Sequence, residues 1–321
     1  MEETAIYHIK AYFLTINMSC NIPFFSIIIP TFNRNDIDTS INSVLNQTFQ
    51  DFEIIVVDDH SDIPAIKRCT ILQNPRIHFF YSDVNRGAAG ARNYGATQAH
   101  GKYLAFIDDD DEWFPEKLQV LYNAINQKSP DLIYHNVTVE MINEHLSYIP
   151  HKQQEKNYYP KMLYTNCIGG TPMVAIKTTF FNKMHGFNES LRSDEDGELF
   201  IRIAKHTNNI IYINQVLGKF NNYTKKGSVT KALQNRIDSR FQIYDIYKDD
   251  INTLLTSSQK KQMFEFMYSD FALAALLNYD KKNACKYYLK TFTIRFNPKY
   301  LILAILSLIS VKSIFYLRTK I

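Results

Sequence analysis

Acidic residues are missing from the last stretch of this chain. Between Lys281 and Ile321 there is no Asp or Glu, while nine Lys and Arg fall there (residues 281, 282, 286, 290, 295, 299, 312, 318 and 320). The whole 321-residue chain carries +4, which leaves residues 1–280 at −5. The basic balance therefore belongs to the tail alone, and this excludes the broad basic and aromatic face of a nucleic-acid binder. Cysteine is scarce too. Cys20, Cys69, Cys167 and Cys285 lie far apart, have neither metal-site nor redox spacing, and are too few for a disulfide framework. A reducing, cytosolic compartment is predicted. Glycine and proline number 10 each, which excludes fibrous and low-complexity classes. The opening "MEETAIYHIKAYFLTIN" is acidic at its start and its apolar stretch is broken, unlike a signal peptide. Met18, just ahead of the first regular pattern, is a second candidate start.

What is present is apolar. Hydrophobic residues make up 45% of the chain, enough for a cored domain and a second, smaller unit. The runs "FFSIII" (24–29), "FEIIVV" (52–57), "IHFFY" (77–81), "YLAFI" (103–107) and "DLIYHNVTV" (131–139) read as strands. Between them lie helical patterns: one behind an Asn35/Asp36 cap signal, a weaker one over 62–73, a small-residue one over 87–100, and one over 115–127 with Pro115 in its first turn. Apolar strands without alternation, alternating with helices, predict a mostly parallel α/β sheet covered on both faces. Ligands of such sheets bind beyond the carboxyl ends of the strands, where strand order reverses. The polar residues gather there: "PTFNR" after the first strand, "DDHSD" after the second, "DDDDE" after the fourth.

Four consecutive aspartates, Asp108 to Asp111, ask for a reason. One or two would suffice to cap the helix that follows, and a solvated capping loop is the plain alternative. The functional reading is a D-x-D arrangement, Asp108-x-Asp110, whose oxygens suit hard Mg²⁺ or Mn²⁺ shared with substrate phosphates.

The segments "FSIIIPTFNR", "FEIIVVDDHSD", "NRGAAGARNYG" and "GKYLAFIDDDDEWFPEKL" occur in this order, and "TPMVAIKTTFFNKMHGFNESLRSDEDGELFIRIAK" follows at 171–205. Together, over about residues 24–222, they resemble the family-2 glycosyltransferases, inverting enzymes with a GT-A-type, Rossmann-like nucleotide-sugar fold. The resemblance implies that Pro30 and Phe32 lie against a nucleobase and Asp58 bonds its polar edge, with Asp59 supporting the loop. It also implies that Asp108 or Asp109 faces the ribose, that Asp110 with Asp108 ligates the divalent metal, and that Arg92 approaches the nucleotide or forms a structural ion pair. Asp196, second of the Glu195-Asp196 pair, matches the general base, with Glu195 or Asp194 next in line. The alternative for Asp196 is a first-turn helix charge, since "EDGELFIRIAKH" is amphipathic. Gly197 departs from the aromatic usual after the pair, which implies a wider acceptor site.

The implied reaction is hexosyl or hexosaminyl transfer from a nucleotide sugar, a UDP-sugar above all, to a saccharide or lipid-linked acceptor in bacterial surface polysaccharide assembly. Two other classes stand beside it. A sugar-phosphate nucleotidyltransferase needs a glycine-rich loop after the first strand, and "PTFNRND" has no glycine. A non-catalytic binding scaffold has no use for a base. Specificity is expected from loops 141–170 and 214–230. Three regions follow: a lead-in (1–23), the catalytic domain (24–222) and a helical region (223–321). The tail run "YLILAILSLISV" (300–311) falls short of the roughly 20 residues a spanning helix needs. It reads either as a core helix or, given its basic surroundings, as a membrane-surface element of a peripheral protein.

Overall fold

The structure, a computed structural model, describes residues 22–318 apart from 35, 72, 73, 151 and 225–232. Most of the amino-terminal lead-in, the Asn35 half of the first cap signal and part of the 214–230 segment lie outside these residues.

Strands and helices alternate from the start: β1 (Phe25–Thr31), α1 (Asp38–Leu45), β2 (Phe52–Asp58), α2 (Ala65–Arg68), β3 (Ile77–Tyr81), α3 (Gly87–Thr97) and β4 (Tyr103–Phe106). Then come β5 (Glu112–Trp113), α4 (Lys117–Lys128), β6 (Leu132–Met141), β7 (Leu146–Tyr148), α5 (Tyr158–Met162), β8 (Val174–Lys177), α6 (Thr178–Lys183), α7 (Glu195–His206) and β9 (Ile210–Asn222). The helical region follows as α8 (Leu233–Ile246), α9 (Lys248–Leu254), α10 (Ser257–Leu277), α11 (Lys281–Arg295), α12 (Pro298–Ile309) and α13 (Val311–Arg318).

The apolar strands lack alternation because both faces of the sheet are covered. Ile27, Ile29 and Ile54 join the core under one layer of helices, while Ile28, Ile55 and Val57 join the core under the other. Helix α3 sits close to the sheet through its small residues. A Cβ on Gly95 would lie 2.7 Å from Ile28 Cγ2, and one on Gly101, in the turn before β4, 2.5 Å from the Ser26 backbone nitrogen.

The nine strands form one sheet, ordered β3-β2-β1-β4-β8-β6-β9-β5 with β7 on the side of β6. β3, β2, β1 and β4 are parallel, whereas β8 is antiparallel to both β4 and β6. The parallel half matches the expectation; the other half is mixed. Chain order reverses between β1 and β4, and the acidic run follows the carboxyl end of β4.

Local differences have physical reasons. Of the helix expected over 62–73, residues 72 and 73 lie outside the described residues and the rest narrows to α2, where the Asp38 carboxylate captures the Thr70 N–H at 3.2 Å and its hydroxyl. Pro115 lies in the turn ahead of α4, which starts at Lys117. At α1 the cap position is Ile37, which makes no side-chain cap bond, while Asp36, one residue ahead, accepts the N–H of Asp38 through Oδ1 at 3.1 Å. The 214–222 stretch expected as loop is the end of β9.

Candidate functional site

The acidic loop is held from two sides. From α1, Ser40 Oγ donates to the Asp111 carbonyl at 2.8 Å, and from the turn after it Gln47 Nε2 donates to that of Phe114 at 2.8 Å. From β9, the Asn221 N–H reaches Asp111 Oδ1 at 2.9 Å and its Nδ2 reaches the Asp110 carbonyl at 2.6 Å. So anchored, the run of four splits in alternation. The side chains of Asp108 and Asp110 keep 29% and 24% exposure, whereas Asp109 keeps 11% and Asp111 is fully buried. The accessible pair is thus Asp108-x-Asp110.

Each accessible carboxylate faces an arginine. Arg34 Nη2 lies 2.6 Å from Asp110 Oδ2, and its Nε lies 3.2 Å from Asp109 Oδ1. Asp109 also accepts the Thr31 hydroxyl at 2.6 Å. Burial nevertheless pushes the Asp109 carboxyl up to about 6, with Thr31 and Arg34 pulling the other way and Asp110 and Asp108 adding repulsion. Burial raises Asp110 as well, against the pull of Arg34. Asp111 rises well above the usual range through burial and the charges of Asp108 and Asp110, and its Oδ2 has no partner among the described residues. Beneath it, the buried Lys117 donates to the Pro172 carbonyl at 2.8 Å and stacks 3.6 Å from the Trp113 ring.

Oxygen donors two positions apart and partly exposed fit a divalent cation that takes its remaining ligands from phosphates and water. No group of three or more His, Cys, Asp or Glu converges on such a site among the described residues, so the chain itself offers two carboxylates.

The other expected residues separate into exposed and buried positions. Phe32 is exposed beside the half-buried Pro30. Asp58 is buried, and its oxygens accept the N–H groups of Ser61, at 2.8 Å, and Ala65. It builds the loop in the first place, and any contact with a base edge has to share those oxygens. Asp59 supports its loop as expected, accepting the Arg86 and Gly87 N–H groups at 2.8 Å. Arg92 is a buried ion-pair residue: Nη2 lies 2.6 Å from Asp108 Oδ1 and Nη1 2.7 Å from Glu195 Oε1. It ties the acidic loop to the start of α7.

Asp196 stands at that start, partly exposed, accepting the Gly197 N–H at 2.6 Å. Gly170 packs against it, since a Cβ there would lie 3.5 Å from Asp196 Oδ2. Burial first, then the neighbouring Glu195 and Asp194 charges, push its carboxyl up to about 7 against the pull of Arg92 and the Gly197 N–H. The preceding Asp194 adopts a left-handed backbone (φ 60°) and pairs with Arg240 of α8 at 2.9 Å. Beside Gly197 a cleft opens between α7 and the helical region, lined by Met162, Asn166, Tyr244, Met263 and others. Nothing lies within 4 Å of the point where a Gly197 Cβ would be. Sequence reading passed over Arg34 and Asn221. Arg34 had a signal, since it ends the "PTFNR" motif; Asn221 had none.

Comparison with known proteins bears on the family and the fold. The sequence profile described as Glycosyl transferase family 2 matches residues 26–190, about half of the chain. An uncharacterized glycosyltransferase of Haemophilus influenzae is 32% identical over 89% of this chain and 96% of its own length. A UDP-Glc:α-D-GlcNAc-diphosphoundecaprenol β-1,3-glucosyltransferase of Escherichia coli is 33% identical over 59% of this chain and 72% of its own. Among solved structures, S. aureus TarS 1–349 in complex with UDP-GlcNAc superposes with a TM-score of 0.53 at 18% identity, covering 84% of this chain and 88% of that one. That last likeness is one of fold.

Proposed function

Because the chain belongs to glycosyl transferase family 2, we propose that it transfers a hexosyl or hexosaminyl group from a UDP-sugar to a saccharide hydroxyl, with inversion. The observation that carries this reading is Asp196. A partly exposed carboxyl with its pKa near 7 is matched to taking a proton from an acceptor hydroxyl at neutral pH. It stands beside the cleft at Gly197, which gives the acceptor room.

The donor lies in the crevice beyond β1 and β4. Pro30 and the exposed Phe32 receive the base, over the loop that Asp58 and Asp59 hold, and Asp109 or Asp108 receives the ribose. Asp108 and Asp110 would hold a Mg²⁺ or Mn²⁺ ion, which would supply counter-charge to the diphosphate. Arg34 supplies a further positive charge at the same rim. Arg92 fixes Asp108 and Glu195 relative to one another, so that the donor loop and the base-bearing turn keep one geometry.

The acceptor printed in the name of the Escherichia coli relative is a diphosphoundecaprenol-linked saccharide, which supports a lipid-linked acceptor and a role in surface polysaccharide assembly. The protein then works as a peripheral protein on the cytoplasmic face of the membrane, with its tail towards the lipid. The test is to screen UDP-sugars for protection against thermal unfolding, then supply the protecting sugar, UDP-Glc first, with a lipid-diphosphate-linked saccharide. A product whose anomeric configuration is opposite to the donor's is expected. A retained configuration, or protection by a nucleoside triphosphate and not by any UDP-sugar, overturns the reading.

A further inference from the structure

Helix α12 has two unlike faces. Leu303, Ala304 and Ser307 turn inward and are buried, the first two within the core that also contains the sheet. On the opposite face Leu301, Ile302, Ile305, Leu308 and Ile309 form a stripe, the last four between 52% and 67% exposed. At 100° per residue these five positions span about 120° of the helix. Phe296, in the left-handed turn just before it, is the most exposed large apolar residue among the described residues, at 73%.

The surroundings say what this stripe fits. Lys299 stands at one end of α12, Lys312 just past the other, and Lys282 one position beyond Lys281. All three are exposed and have no carboxylate partner among the described residues. Lys281 Nζ donates to the Leu308 and Ile309 carbonyls at 3.3 and 3.1 Å, so groups that would otherwise need water at the helix end are satisfied by the chain. A second copy docked by a two-fold axis on this face would set the lysines of one against those of the other, with no acid in residues 281–321 to relieve them. A twelve-residue helix rises about 18 Å, short of the ~30 Å hydrocarbon core. No helix among the described residues is long and apolar enough to cross a membrane. These facts suit a helix lying in the plane of an anionic surface.

We infer that α12, with Phe296 and the flanking lysines, is a docking face for an anionic phospholipid leaflet, its aliphatic stripe at the acyl boundary and Lys282, Lys299 and Lys312 among the headgroups. The inference deepens the reading of a lipid-linked acceptor, but vesicle binding is measured without donor or acceptor, so the two can fail separately.

The experiment is sedimentation of the full-length protein with vesicles of phosphatidylcholine alone or mixed with phosphatidylglycerol. Binding to the anionic vesicles at low salt, weakened by high salt and absent on the neutral ones, is expected. The triple variant Ile302→Glu/Ile305→Glu/Leu308→Glu should lower the partition coefficient by about 10²-fold or more. The pair Lys299→Gln/Lys312→Gln should lower it by about fivefold per lysine. All these side chains are exposed, so circular dichroism and Tm should match the wild type. Equal sedimentation of the triple variant overturns the inference. So does a wild-type dimer in light scattering that the triple variant converts to monomer, which would assign the face to a second copy. If the triple variant is misfolded, Ile305→Glu alone decides by the same comparison.

Discussion

At Asp196 opposing influences act on one carboxyl, and their balance sets its charge. The first-turn N–H of Gly197 and the Arg92 guanidinium favour its charge, while burial, Glu195 and Asp194 oppose it and win, holding it at about 7. A base must be ionised, so transfer should fade as pH falls through about 7, and Asp196→Asn should abolish it while leaving UDP-sugar binding in place. Stability follows with its own sign. A carboxyl whose folded-state pKa is raised contributes fully below its ordinary value near 4 and loses that contribution as pH rises through about 7. Asp196→Asn should therefore be more stable than wild type above pH 8, by about 2–4 kcal/mol, and no more stable below pH 4. Denaturant titration at both pH values checks this; an equal effect at both would show that Asp196 is not held up. Asp110→Asn differs in kind. Its side chain is partly exposed and Arg34 keeps Asp109, so the fold should stand while the transfer rate falls by about 10²–10³. Full wild-type activity in excess chelator would remove the metal from the reading.

Among elements, the acidic loop and the start of α7 are joined through a single buried guanidinium. Arg92→Leu strands the buried Glu195 carboxylate and should cost about 3–5 kcal/mol in urea unfolding. It should also move the acidic limb of the pH–rate profile upward, since Arg92 pulls Asp196 down. Unchanged stability would mean that the bridge holds nothing. Sequence foretold such elements unevenly. β1, β2 and β4 were legible because two covered faces leave an unbroken apolar run, and the start of α7 because its acids stand ahead of an amphipathic pattern. β9 was not, since its residues are mostly half-buried and "IIYINQVLGKFNN" has neither strand nor helix period. The division of four identical aspartates into inward and outward pairs was also hidden, because Asn221 and Ser40, which impose it, come from distant elements. Within α12 the uncharged run could not say which aliphatics face the core, as all of them are apolar.

On the scale of the whole molecule, the sheet and the helical region share one core. Leu104, Phe106 and Leu199 belong to the same buried cluster as Phe271, Tyr288, Ile314 and Phe315. Arg236 and Arg240 of α8 reach Asp270 of α10 and Asp194 beside the candidate base. Thermal unfolding of the full chain should be one cooperative transition, and two separated transitions in calorimetry would contradict the shared core. Removing residues 297–321 should not give a well-behaved soluble catalytic part. It strips Leu303, Ala304, Val311, Ile314 and Phe315 from the cluster, and a lowered Tm with exposed apolar surface is expected. A truncated protein as stable as the full chain would show that the tail is a separate appendage. The common core also bears on how such enzymes diversify. A recombination event that joined the sheet of one relative to the helices of another would bring together inner faces never selected to fit. The two parts should therefore be exchanged in the laboratory as one cassette.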